Sequence, residues 1–357
     1  MKFIITVDTE GDNQWQYNGR LTLRNLRALP RFQRLCEQYG FAPTYLLARE
    51  VLQDATTVKA LLDWQKRGSA EIGVHLEPWT TPPFMAEETE NPAMQAFPSE
   101  LPLEWFSRKL EVLTAEVAER FGAPKSFRAA RWGVSGDMLR RLAELGYGVD
   151  CSVTPKIDWR RQRGLAGGPG GPDFREAPPG PYRPSVENVC RSGGAGLLEV
   201  PLTVLHTGPL VREGSMAARR FALLPESPAK RLLDRIVFRT KWLRISPASR
   251  RGDWRAIHRA AVRSGMEVLV FMIHSSELAP GTSPLTPTER DAEGVFRRLE
   301  EMFGDFRAPG VTGCTLGSLA GECGDSGDGT RERSAREAPK PGYPQGDVRE
   351  PSAMVER

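Results

Sequence analysis

The sequence predicts an α/β fold with a mainly parallel sheet, either open or closed as a barrel, and three observations carry that expectation. Short apolar, β-branched runs such as Lys2–Asp8 (KFIITVD) have the composition of strands buried on both faces. Stretches with helical spacing separate these runs, so successive strands need crossover connections and should run parallel. The 357 residues leave room for one large unit, because α/β barrels of roughly 250 residues form single domains.

Taken in order, the first strand should end at Asp8, followed by a polar loop. LTLRNLRALPRFQRLCEQYG reads as helix, with Pro30 as a break or restart and Gly40 as the stop. APTYLLA then reads as strand, DATTVKALLDWQKRG as a helix capped by Asp54, and AEIGVHL as a third strand. A helix over about Ser107–Phe121 carries Leu110, Leu113, Val117 and Phe121 on one face. SFRAARWG holds the end of a fourth strand. Ser135 is the expected cap of a helix with Met138, Leu142 and Leu145 inward, and YGVDCSVTP is a further strand. Between residues 158 and 196 glycine and proline are too frequent for helix or strand, which predicts a long irregular excursion that is either functional or disordered. LLEVPLTVLHT restores a strand, and helical segments are expected around Ala229–Leu243 and Ser249–Ser264. MEVLVFMIH is the most apolar strand and ends at His274. After it, Thr286 as N-cap, Pro287 at the first helical position and Glu289 closing a capping box predict a helix that buries Ala292, Val295, Phe296, Leu299 and Phe303. The barrel-like domain should span residues 1–320, with a polar, disordered tail over 321–357.

Bulk chemistry removes several classes of function. The formal charge is only +4, and the basic residues, 40 Arg and 9 Lys, are scattered among acids without a continuous stripe, which argues against a nucleic-acid partner. No apolar run approaches the ~18 residues of a membrane span. The opening MKFIITVDTEGD reaches acids too early for a secretory leader. The five cysteines (36, 151, 190, 314, 323) are odd in number and form no C-x-x-C pair, so a disulfide scaffold is not expected. These features predict a cytoplasmic protein with no membrane partner; oligomeric state is not readable.

In a parallel α/β sheet, reacting groups gather beyond the carboxyl ends of the strands. The polar residues there are Asp8 and Glu10, His75 and Glu77, Arg128 and Arg131, Asp150, and His274 with Glu277. Asp8 and Glu10 are two apart, as are His75 and Glu77, so each pair shares a face of extended backbone. Two such pairs on adjoining strands could surround a divalent cation, since imidazole and carboxylates suit zinc or a neighbouring first-row metal. Each also has an ordinary reading. The Asp8–Asp12 stretch reads equally as a solvated turn, His75 and His274 as hydrogen-bonded rim residues, and the glutamates and arginines as surface charges. His206 and His258 look structural.

The ordered motifs TVDTEGD, EIGVHLEPW, SFRAARWG and FMIHSSELAPGTSP together resemble the NodB-type polysaccharide deacetylase superfamily, and within it the intracellular, WalW-like branch. The resemblance spans about Lys2 to Ala320. It implies a distorted, incomplete (β/α) barrel and metal-dependent hydrolysis of N-acetyl groups on a carbohydrate or carbohydrate precursor. By that likeness Asp8 resembles the general base, Glu10 and His75 metal ligands, Arg128 the arginine that holds the acid side chain, with Arg131 nearby, and His274 the general acid. Glu77 departs from the branch, which has a histidine there; a carboxylate also binds zinc. Trp79, Trp132 and Trp159 are candidates for stacking on a sugar ring or for plain packing. The excursion with Asp173, Phe174 and Tyr182 is a candidate cover for the pocket. An inactive saccharide-binding relative and an amidase for non-sugar C–N bonds are the alternative readings.

Overall fold

The computed structural model describes residues 1–325 apart from 92, 163 and 308–310. Its centre is an eight-stranded sheet in which every pairing is parallel. The strands are β1 (Lys2–Thr9), β2 (Thr44–Leu47), β3 (Glu71–Leu76), β4 (Ser126–Ala129), β5 (Val149–Asp150) and β6 (Leu198–Glu199), with β9 (Val268–His274) on the far side of β1. A short β10 (Thr312–Gly313) pairs with the first residues of β1, below the point where β2 takes over that edge. β7 (Val204–His206) and β8 (Thr240–Trp242) form a separate antiparallel ribbon.

The sheet curls without closing by regular pairing. At the gap between β6 and β9, Thr203 N donates to Val270 O (3.2 Å) and Val270 N donates to Thr203 Oγ1 (2.7 Å). This is the incomplete barrel that the motifs imply.

Helices cover the outside: α1 (Leu29–Gln38), α2 (Ala55–Lys66), α3 (Ala86–Glu90), α4 (Leu103–Phe121), α5 (Gly136–Glu144), α6 (Met216–Leu223), α7 (Pro228–Leu233), α8 (Arg251–Arg263), α9 (Glu289–Phe306) and α10 (Leu316–Asp325). Their starts follow local chemistry. Asp54 accepts from Thr56 N and Thr57 N at the head of α2, and Ser135 Oγ from Met138 N at the head of α5. Phe3, Phe41, Phe271, Phe303 and Phe306 pack edge to face between α9 and the face of β1 and β9 opposite to Asp8 and His274.

Several sequence expectations need correcting. The helix expected over 229–243 stops at Phe238 through one wider turn, and Arg239 adopts φ 53°. Residues 240–242 become β8, because pairing with β7 overrides their helical pattern. LLEVPLTVLHT is two strands, since the chain leaves the main sheet at Pro201 to bridge β9. YGVDCSVTP keeps only two strand residues, and the Asp150 carboxylate turns back onto Ser152 N (3.1 Å). α9 is capped by Thr288 with Asp291, two residues later than expected, because Thr286 Oγ1 already donates to Ala279 O (3.1 Å). α10 runs to Asp325, past the expected boundary at 320; the rest of the expected tail lies outside the described residues.

The excursion is packed. Phe174 and Tyr182 are buried, and the Glu100 carboxylate accepts from Gly164 N, Leu165 N and Gly170 N. Glycine is required where the loop meets this anchor: a Cβ on Gly164 would lie 2.4 Å from Ala96 Cα, and one on Gly171 2.6 Å from the Phe97 ring.

Candidate metal and catalytic centre

Register brings the predicted residues together. Asp8 stands opposite His274 across β1 and β9, and His75 opposite Arg128 across β3 and β4. Neighbours in register point to the same face, so all four enter the upper barrel. Glu10 and Glu77 continue the faces of Asp8 and His75 just beyond their strands. The backbone of Glu10 is fixed on both sides: its N–H donates to Ser275 Oγ (3.1 Å), and its carbonyl accepts from Asn25 Nδ2 (3.0 Å). The acidic N-terminal stretch therefore divides. Asp8 and Glu10 face the cavity, while Asp12 ties down the segment from Thr22 to Asn25.

Glu10, His75 and Glu77 each offer one donor atom, and these atoms lie within 4.8 Å of one another. His75 Nδ1 lies 3.1 Å from Arg128 O. A carbonyl only accepts, so Nδ1 carries the proton and Nε2 turns to Glu10 Oε2, 3.5 Å away. Burial pulls the His75 pKa down, but Asp8 and Glu10 outweigh it, leaving the value above an ordinary histidine's.

Glu77 is in the opposite position from a surface carboxylate. Burial, then Glu50 and Glu10, push its pKa well above the usual range. Glu50, three residues beyond β2, is itself buried with a raised pKa; one oxygen accepts from Gly11 N (2.8 Å), and the other has no hydrogen-bond partner. Glu10, His75 and Glu77 thus bring two buried carboxylates and one imidazole together as a donor set. Their mixture of oxygen and nitrogen suits zinc or a similar first-row ion, so the residues fit the metal implied by the motifs.

The catalytic candidates are held separately from this group. Arg128 is fully buried; its Nη1 pairs with Asp8 Oδ1, Nη2 donates to Thr6 Oγ1 (2.9 Å) and Nε to Cys151 O (3.0 Å). Burial alone would raise the Asp8 pKa, but Arg128, His75 and His274 hold it below the ordinary value. The other oxygen of Asp8 lies 3.8 Å from His274 Nε2. His274 Nδ1 is 3.0 Å from Glu277 Oε1, and Arg244 pairs with the same carboxylate. Glu277 thus orients the imidazole with Nε2 toward Asp8.

The cavity above these groups has a volume of about 580 Å³. Five of the eight tryptophans line it: Trp15, Trp79, Trp132, Trp159 and Trp242. Trp15 meets His274 edge to face with centroids 4.6 Å apart, and Trp79 Nε1 donates to Gln14 Oε1 (2.9 Å). Arg131 lies on the wall, pairing with Gln95 O and stacking 3.9 Å over Phe97, at a backbone φ of 51°. Trp132 follows at φ 66°. Two successive non-glycine residues in this region are strained, a feature that concentrates at functional sites.

Not every predicted residue arrives here. Asp173 pairs with Arg160 and Arg175, and Tyr182 donates to Val189 O; neither lines the cavity. The excursion contributes Trp159, Gln162 and Gly164 instead. His206 and His258 lie outside it as well. Sequence reasoning missed Glu50, Trp15, Trp242 and Arg244. The rule that found the other acids, polar residues just beyond a strand, extends to Glu50, whereas Trp242 and Arg244 were hidden by the helical reading of their segment.

No protein-family model matches the chain, and no curated protein matches its sequence. Solved structures do match. A protein of Mycobacterium smegmatis described as a candidate polysaccharide deacetylase gives a TM-score of 0.51 at 14% identity, over 94% of this chain and 95% of the other. The 4-alpha-glucanotransferase of Thermococcus litoralis gives 0.50 at 15% identity, over 90% of this chain and 40% of the other. Identities this low speak for the fold. In fold, this chain is similar to that candidate deacetylase over nearly the whole of both chains, and it is a distorted and incomplete (β/α) barrel.

Proposed function

We propose that the protein is a metal-dependent hydrolase that removes an N-acetyl or related acyl group from a carbohydrate or carbohydrate precursor. The observation that carries this reading is the meeting of two differently prepared groups, Asp8 and His274, 3.8 Å apart beside the Glu10–His75–Glu77 donor set.

Glu10, His75 and Glu77 would hold the ion, with Glu50 behind them. When bound, a divalent cation of this ligand preference supplies Lewis acidity toward an amide carbonyl and acidifies water. The rest falls to the chain's own side chains. Asp8, kept ionised by Arg128, accepts a proton from the attacking water. His274 Nε2 gives a proton to the departing nitrogen, which amide cleavage requires because an amine anion is a poor leaving group. Glu277 Oε1, 3.0 Å from Nδ1, orients the imidazole for this step, much as a buried aspartate does in a hydrolase triad. The tryptophan walls offer flat apolar faces to sugar rings, and Gln14, Asn91, Gln95 and Gln162 offer amide groups to hydroxyls. Three buried, unpaired cysteines, Cys36, Cys151 and Cys190, support a reducing, cytoplasmic setting. Among the described residues no helix is long and apolar enough to cross a membrane.

The test is metal analysis of the purified chain together with acetate release from a panel of N-acetyl sugars and simple amides. Bound metal at about one per chain with release from sugars is the expected result. A chain that takes up no divalent ion and releases nothing would reduce the protein to a binding relative; release from simple amides alone would make it an amidase of another class.

A further inference from the structure

Between β7 and β8 the chain makes an arm, residues 207–239, that carries α6 and α7. Its own small core is Val211, Ala218, Phe221 and Phe238, with Phe221 and Phe238 stacked at 3.7 Å. The segment 228–238 is arranged inside out. The residues turned toward the protein are Lys230, Asp234 and Phe238, four apart. Lys230 Nζ donates to Leu224 O (2.9 Å) and Glu226 (2.7 Å), and Asp234 Oδ1 accepts from Thr240 N (3.1 Å). The large aliphatic residues face outward: Leu232 is 59% exposed and Ile236 58%, with Leu233 and Val237 beside them. Nearby Leu210, Met216, Leu223 and Leu224 are exposed too. Of thirteen exposed large hydrophobic side chains among the described residues, eight lie between 210 and 237. Exposure this concentrated marks a contact surface.

The charge on the arm identifies the partner. Arg212, Arg219, Arg220, Arg231 and Arg235 are exposed and have no acidic partner among the described residues. The arm's acids are already occupied: Glu213 by Lys156, Glu226 by Lys230 and Asp234 by Thr240. Arg231 and Arg235 each precede an exposed aliphatic residue, Leu232 and Ile236, so basic and apolar side chains alternate on the outer surface of this segment. A second copy of the chain meeting this face symmetrically would bring the same arginines together. We propose that the arm docks on an anionic lipid surface, the aliphatic row entering the acyl boundary and the arginines reaching the headgroups. β8 runs from the arm to Trp242, so the docked surface lies one strand from the cavity.

Co-sedimentation of the full chain tests this, using vesicles of phosphatidylcholine alone or mixed with phosphatidylglycerol. The expected result is pelleting with the mixed vesicles only, reversed by high salt. Leu232→Asp with Ile236→Asp, and separately Arg231→Glu with Arg235→Glu, should each weaken pelleting at least tenfold while leaving the thermal melt unchanged, because all four side chains are exposed. Failure to pellet with anionic vesicles at low salt overturns the proposal, as does pelleting that neither pair alters. A dimer in light scattering that Leu232→Asp with Ile236→Asp dissolves would assign the face to a second copy instead. Acetate release from soluble sugars is independent of all these outcomes.

Discussion

Two groups of buried carboxylates stand at the upper ends of the strands, and they answer the same problem differently. Glu10, Glu50 and Glu77 gather at β1, β2 and β3, while Asp150 and Glu199 meet at β5 and β6. Burial is the largest cause of the raised pKa values in both, with carboxylate repulsion adding to it. Each group also leaves one oxygen without a partner, Glu50 Oε2 in the first and Glu199 Oε2 in the second. The second group is sealed away from the cavity. Asp150 accepts from Ser152 N and Oγ and Glu199 Oε1 from Val153 N, and neither carboxylate lines the cavity. Glu10 and Glu77 of the first group line the cavity beside an imidazole whose Nε2 is turned toward them. Acid clustering by itself therefore identifies nothing; access and a nitrogen donor distinguish the candidate cation site from the sealed pair.

The strongest way to break this contrast acts on the chemistry beside the first group. Asp8→Asn keeps the shape but removes the proposed base, and should lower acetate release by about 10²–10⁴-fold, the usual contribution of a positioned acid or base. His274→Ala should act similarly. Metal content should remain in both, because neither residue belongs to the donor set. Undiminished turnover in Asp8→Asn would remove Asp8 from the mechanism.

The next effect is on affinity. His75→Ala should weaken metal binding by at least about 10–100-fold, the range seen when only a ligand's outer partner is lost. Glu199→Gln should leave metal binding unchanged. Titration of both variants with zinc, followed by metal analysis after dialysis, separates the two acid groups directly. Equal retention by both would mean that the cavity-facing group is no more a cation site than the sealed pair.

Why the sequence reveals one group so much better follows from the strands. β1, β3 and β9 are six to eight residues long, so their apolar runs, and the polar residues that end them, are readable by period and composition. Asp8, Glu10, His75, Glu77 and His274 are all found that way. β5 and β6 have two residues each, too few for any period, and Glu199 follows the long excursion that sets it beside Asp150. Trp242 and Arg244 were lost for a related reason. Their segment continues a helical pattern, and only pairing between β7 and β8, distant in sequence, makes it a strand. Local chemistry fixed the caps at Asp54 and Ser135 correctly, whereas the cap of α9 shifted because a tertiary hydrogen bond had engaged Thr286.

The sealed pair makes a prediction with a definite sign. The folded-state pKa values of Asp150 and Glu199 are raised above their ordinary values of 3.8 and 4.5. Their contribution to stability is therefore full below pH 4 and is lost as pH rises through the folded values, because the native state keeps a proton that the unfolded chain releases. Glu199→Gln puts a permanent amide donor where burial favours the protonated carboxyl. It should be close to neutral at pH 4.5 and stabilising at pH 8, by on the order of 1–2 kcal/mol, or a few degrees in Tm. Thermal melts at the two pH values check this, and a variant whose deficit grows toward pH 8 would show that the pair is not protonated in the fold.

The smallest expected effect compares two residues of the excursion, one on the cavity and one off it. Trp159 presents its ring to the cavity and packs edge to face on Trp242, with centroids 6.1 Å apart. Asp173 is engaged with Arg160 and Arg175 at partly exposed positions. Loss of one aromatic contact is worth roughly 0.5–1.5 kcal/mol, so Trp159→Ala should raise KM by about 2–10-fold with kcat changing less. Asp173→Asn breaks ion pairs worth about 0–1 kcal/mol to stability and should leave KM and kcat within about twofold, because nothing it touches reaches the cavity. A KM change in Asp173→Asn as large as that in Trp159→Ala would mean that the excursion acts on substrate as a unit, through its anchoring on Glu100, rather than through the one ring it contributes.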